Sequence, residues 1–143
     1  MTQPLITNAR CRELLAEVLC PNHVRGFQKH GKNKGGMSGG RLRRVIKYVD
    51  ENLDQRIELR KLASVVSLSA HHFRDVFKTE TGKSPHNFLI HRRVCRAQEL
   101  LLESDLSIAQ IAVDVGFSGQ SHLTRHFRMQ TGMTPFRFRL AQK

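Results

Sequence analysis

The chain has 143 residues, 39% hydrophobic and 25% charged, an ordinary globular balance that suits one or two small domains. It contains no run of 18 apolar residues, which excludes a membrane-spanning helix, and its N-terminus lacks the apolar core and cleavage site of a signal peptide, so a cytoplasmic, nucleoid-associated protein is expected. Twenty-four Lys and Arg against 12 Asp and Glu leave a net charge of +12, which favours a polyanionic partner, nucleic acid before an acidic membrane surface.

Residues 1–40 read as an N-terminal extension. Within it Cys11, Leu14, Leu15, Val18 and Leu19 recur at helical spacing, so one amphipathic helix is expected over 8–19. Three cysteines, Cys11, Cys20 and Cys95, include no CxxC pair and give no disulfide framework. Cys20, His23 and His30 lack a fourth ligand and the paired spacing of a zinc site, so no metal and no cofactor is expected. Residues 31–40 hold five glycines and read as a linker. Six basic and two acidic residues precede position 41, and eighteen and ten follow it, so both parts are basic.

The domain is expected to occupy 41–143. Leu42, Val45, Ile46, Val49 and Leu53 mark a first core helix over about 41–53, with Arg41, Arg43, Arg44 and Lys47 mostly off its apolar stripe.

A duplication follows. Leu62-Ala63, Leu68-Ser69, His72-Phe73, Phe77-Lys78, Thr81-Gly82, Ser84-Pro85 and Phe88 recur as Ile111-Ala112, Phe117-Ser118, His122-Leu123, Phe127-Arg128, Thr131-Gly132, Thr134-Pro135 and Phe138. The offset is 49 up to Ser69/Ser118 and 50 from His72/His122, so the second copy has one extra residue at Gly119 or Gln120.

Each copy reads as helix, tight turn, helix, a helix-turn-helix over about 58–82 and about 107–132. In the second, Ser107 and Gln110 form a capping-box pattern, Gly116 suits a turn with positive φ, Ser118 is placed to cap the next helix, and Gly132 ends it. Thr134-Pro135 then starts another helix. The first copy repeats this with Ser69 as cap, Gly82 as stop and Ser84-Pro85 as start. Between the copies, Pro85 to Glu103 has no internal Gly or Pro, and Ile90, Val94, Ala97 and Leu101 give it one helical stripe. Such a helix is about 28 Å long, near the roughly 34 Å between successive major-groove faces. The fold class is therefore all-α, about seven helices, two helix-turn-helix subdomains joined by a long helix. Met129, Met133 and the phenylalanines are expected in the core, and His72 and His122 are read as packing residues.

The string RVCRAQELL from Arg93 to Leu101, and IAQIAVDVGFSGQSHLTRHFRMQTGMTPFRFR from Ile108 to Arg139, resemble the AraC/XylS family of bacterial transcription regulators. The resemblance covers about 41–139. It implies a sequence-specific transcription regulator, an activator, whose two recognition helices read adjacent major-groove segments of promoter double-stranded DNA. It also implies RNA polymerase as a partner. Carried residue by residue, base contacts fall on Ala70, His71, Arg74 and Asp75 in the first unit and on Gln120, Ser121, Thr124 and Arg125 in the second. These positions face away from Phe73/Phe77 and Leu123/Phe127. Arg125 suits a bidentate contact to guanine and Gln120 one to adenine. Ser69, Lys78, Ser118, Arg128, Thr134, Arg137 and Arg139 are read as phosphate contacts, which position without specifying.

Three departures between the copies bear on function. Ser67 stands where the second has Gly116, Glu58 replaces the cap Ser107, and Asp75 stands where the second has Arg125. The second unit is therefore expected to bind DNA more strongly. Full-length relatives usually add a sensing domain, so the chain reads either as a short effector-free member or as the DNA-binding part of a longer protein. Two reading heads need no dimer, and a monomer is expected. No nucleophile–base pair, phosphate loop, dinucleotide fingerprint or HExxH appears, so no enzyme is expected. A non-specific nucleic-acid binder is the competing reading.

Overall fold

The computed structural model describes residues 37–142. The expected helix over 8–19 and most of the glycine-rich stretch lie outside these residues. The described residues form seven helices and no strand: α1 (Gly39–Glu51), α2 (Leu59–Val65), α3 (Ala70–Thr81), α4 (Pro85–Glu103), α5 (Ile108–Asp114), α6 (Gln120–Thr131) and α7 (Pro135–Gln142). Among them no helix is long and apolar enough to cross a membrane. They divide into two bodies, 37–52 with 56–89, and 53–55 with 90–142.

In the first body, α1 starts two residues earlier than its apolar stripe alone implies. The Ser38 hydroxyl accepts the Arg41 N–H at 3.3 Å, and Met37 before it is buried, as Leu42 is after it. That is the pattern of a capped start with an apolar staple, so Gly39 and Gly40, read as linker, are helical. Leu42, Val45, Ile46 and Val49 are buried at i, i+3, i+4, i+7. α2 packs against α1 and α3. Phe77 lies tilted against Phe73 at 5.4 Å and meets the edge of Phe88 at 5.3 Å. Burying each such ring contributes about 2–3 kcal/mol.

In the second body, Ile111, Ala112 and Val115 pack with Leu123 and Phe127 of α6 and Phe138 of α7 in one apolar cluster. Phe127 and Phe138 repeat the edge contact of Phe77 and Phe88, at 5.4 Å. The duplication also holds in the turns. Leu68 N–H donates to Ala63 O in the first, and Phe117 N–H to Ala112 O in the second. Ser67 has φ 57° and Gly116 φ 93°, so Ser67 carries the left-handed conformation that glycine adopts in the other copy. The recurring Thr-Gly-x-Ser/Thr-Pro string has a local reason. Thr81 and Thr131 reach back to Phe77 O and Phe127 O, both at 2.8 Å, and accept the N–H of Lys83 and Met133. Gly82 and Gly132, at φ 76° and 81°, end α3 and α6.

Two local expectations differ, at Gln110 and Ser118, and one departure between the copies holds, at Glu58. Ser107 accepts the Gln110 N–H at 3.1 Å, but the Gln110 amide turns to Asp114 at 2.7 Å, so only half of the capping box forms. Glu58, at the N-cap position before α2, gives no side-chain cap, as its place opposite Ser107 implies. Ser118 is not the cap of α6. The extra residue of the second copy places extended Gly119 there, and the Ser118 hydroxyl meets His122 Nδ1 at 3.1 Å.

Arg93, the first residue of the RVCRAQELL string, ties the 53–55 segment to α4 in the second body. Arg93 is 8% exposed, its Nε donating to Leu53 O at 3.0 Å and its Nη2 to Gln55 O at 2.8 Å. Burial lowers the pKa of its guanidinium and neighbouring Asp54 opposes that shift; the group stays charged, as arginine does in proteins.

Candidate nucleic-acid interface

α3 and α6 are built alike. Each has 12 residues, turns two aromatic or aliphatic side chains inward four apart, and ends on a left-handed glycine. Phe73 and Phe77 anchor α3; Leu123 and Phe127 anchor α6. With 3.6 residues per turn, the opposite face of each helix points to solvent.

On α3, His71, Arg74, Asp75 and Lys78 are exposed and Ala70 is half-buried. His71 Nε2 lies 3.5 Å from Asp75 Oδ2, one turn apart. Two of the expected reading residues thus face each other, and so exposed a pair contributes little to stability. Arg74 borders a recess whose walls include Leu59, Leu62 and Leu89.

On α6, Gln120, Ser121, Arg125 and Arg128 are exposed and Thr124 is half-buried. The structure brings these five together with Met129 along one open concave strip. Met129 and Phe136 correct the expectation that these apolar residues belong to the core, being 73% and 58% exposed. For Met129 the signal was available. It lies four residues after Arg125, and the helical phase puts it off the Leu123/Phe127 face. His122 packs its ring edge-on against Phe117 at 5.1 Å, and both His122 and His72 are exposed, so neither is a core residue.

The expected phosphate residues divide by what their polar atoms already do. Lys78, Arg128 and Arg137 are exposed. Ser69 and Thr134 accept the N–H groups of His72 and Arg137 at 3.2 and 3.3 Å, which leaves each hydroxyl proton free to donate outward. Arg139 is differently committed. Its Nε donates to Leu101 O at 3.2 Å and its Nη2 to Ser104 O at 3.3 Å, so the guanidinium caps the C-terminal end of α4.

A family model described as a helix-turn-helix domain matches residues 62–141. The chain is 32% identical over 138 residues to the virulence regulon transcriptional activator VirF of Yersinia enterocolitica, covering 96% of this chain and 50% of that protein. It is 43% identical over 67 residues to the transcriptional regulator ExsA of Pseudomonas aeruginosa, 47% of this chain and 24% of that protein. The chain thus spans about half the length of VirF. Among solved structures, the DNA-binding domain of AdpA in complex with a target DNA matches at TM-score 0.66 and 35% identity, covering 70% of this chain and 90% of that one. A regulator with an AraC-type DNA-binding domain from Chromobacterium violaceum matches at TM-score 0.69 and 25% identity, covering 72% and 92%.

Proposed function

The chain belongs to the AraC/XylS family of helix-turn-helix regulators, and from that membership we propose that it binds promoter DNA sequence-specifically and activates transcription. The observation that carries the reading is the exposed strip of α6, where Gln120, Ser121, Thr124 and Arg125 stand in one row outside a packed core. Hydrogen-bonding side chains of this kind, on a helix that enters the major groove, are what base recognition needs.

α6 supplies the principal base contacts, Arg125 to guanine and Gln120 to adenine, with Ser121 and Thr124 beside them. α3 supplies Ala70, His71, Arg74 and Asp75 at a second major-groove segment. Ser69, Lys78, Ser118, Arg128, Thr134 and Arg137 hold phosphates. Arg139 is left out of that set because its guanidinium is used on Leu101 and Ser104. Two reading helices in one chain support binding as a monomer. A relative named as a transcriptional activator supports the activating role, and contact with RNA polymerase, in the cytoplasm at the nucleoid, belongs to the same proposal. No catalytic role is assigned.

Selection of genomic fragments by the purified chain at about 0.15 M salt, followed by footprinting, tests the reading. A recurring protected sequence with two reading segments is the expected result. Fragments bound without preference, with a steep salt dependence, would instead make the chain a general basic binder.

A further inference from the structure

Met129 is an apolar side chain, 73% exposed, on a helix face whose other lining residues are all polar. It contributes nothing to the core of the second body, which Leu123 and Phe127 fill from the same helix. It follows Arg125 by one turn and Ser121 by two, so it continues the reading row toward the C-terminal end of α6. We propose that Met129 is a specificity-determining residue that reads the 5-methyl group of a thymine in the major groove, an assignment that rests on the promoter-binding role of α6.

Thymine alone among the bases displays a methyl group in the major groove, and apolar side chains recognise it by contact. The unbranched thioether of methionine has three rotatable bonds and adapts to such a surface. Water leaves both the exposed thioether and the methyl group on contact, so the gain is the hydrophobic one. The four-residue step from Arg125 to Met129 advances about 6 Å along the helix, against about 3.4 Å per base pair. The thymine therefore lies about two base pairs from the guanine that Arg125 contacts. Thr124 carries the other methyl group in the strip and is the internal control.

The test uses the full chain and a duplex recovered by genomic selection. Each thymine in turn is replaced by deoxyuridine, which lacks only the 5-methyl group, and dissociation constants are measured for the wild type, Met129→Ala and Thr124→Ser. One position is expected at which deoxyuridine weakens wild-type binding about three- to fivefold, the scale of one buried methyl. That loss disappears in Met129→Ala and persists in Thr124→Ser. Met129 is exposed, so the alanine variant keeps the fold. If Met129→Ala shows the same deoxyuridine penalties as the wild type at every position, the assignment is overturned and Met129 serves another partner. If the coupling appears with Thr124→Ser instead, it is overturned in favour of Thr124. If the wild type selects no sequence at all, the regulator reading falls and takes this assignment with it.

Discussion

The guanidinium of Arg93 occupies the space that a side chain on Gly116 would need. A Cβ built there comes 2.7 Å from Arg93 Nε and collides with the Leu53 carbonyl oxygen that Arg93 binds. Gly116 also has φ 93°, so backbone conformation and close approach demand glycine together.

Gly132 isolates the first of these demands, since it has φ 81° and nothing within 4 Å of its Cβ position. Gly132→Ala should cost about 1 kcal/mol, the conformational penalty alone. Gly116→Ala should cost about 3 kcal/mol or more, because the backbone must shift or Arg93 must release its carbonyls. Denaturant unfolding of both variants checks this, and equal losses would mean that the close approach relaxes freely.

The first turn invites repair. Ser67 holds φ 57° and Glu58 caps nothing with its side chain. Ser67→Gly should stabilise by about 0.5–1 kcal/mol. Glu58→Ser should add less, about 0.5 kcal/mol, because the carboxylate it removes already favours a helix N-terminus. Thermal melts decide; a drop in Tm for Ser67→Gly would show that the serine makes a compensating contact.

Gln98 is 0% exposed, and neither of its amide atoms has a hydrogen-bond partner among the described residues. Replacing it with Met, similar in volume, removes a buried unsatisfied amide and should stabilise by about 1–2 kcal/mol. Lower stability on urea unfolding would mean that the amide is satisfied, for instance through a buried water.

Arg137 and Arg139 stand two apart and should behave differently. Arg137→Ala should leave unfolding unchanged and lower the salt slope of DNA binding by about 1. Arg139→Ala should destabilise by about 1–2 kcal/mol, since the carbonyls of Leu101 and Ser104 lose their donor, and leave the slope near the wild-type value. The reverse pattern would return Arg139 to the phosphate set.

The two reading helices should be unequal. Arg125→Ala should cost about 1–3 kcal/mol of binding and relax the preference for one base. Arg74→Ala should cost less, with Arg74 bordering an apolar-walled recess and acidic Asp75 beside it. Equal losses on the selected site, read by fluorescence anisotropy, would sink the ranking.

The elements and most of their ends were legible because their causes are local. Apolar spacing, Ser69 and Ser107 as caps, and Gly82 and Gly132 as stops each act within about one turn of the chain, whereas the cap at Ser38 lies in a stretch whose glycines point to a linker. The duplication was legible for the same reason, each unit repeating its local signals. Where two local signals competed, the reading failed. Ser118 has the residue type and copy position of a cap, but the inserted Gly119 displaces it, and Met129 has the residue type of a core position while its helical phase points outward.

What the sequence determined by itself is the pattern of helices, turns and outward-facing polar rows, since 3.6-residue periodicity and capping depend on neighbours a few positions away. What only the tertiary structure decided is how each of many arginines is used. Arg93 and Arg139 spend their guanidinium groups on backbone carbonyls 38 or 40 and 38 or 35 residues away, while Arg125, Arg128 and Arg137 stay exposed. A buried carbonyl must find a donor wherever folding places one, and that placement is no property of the few residues around either arginine.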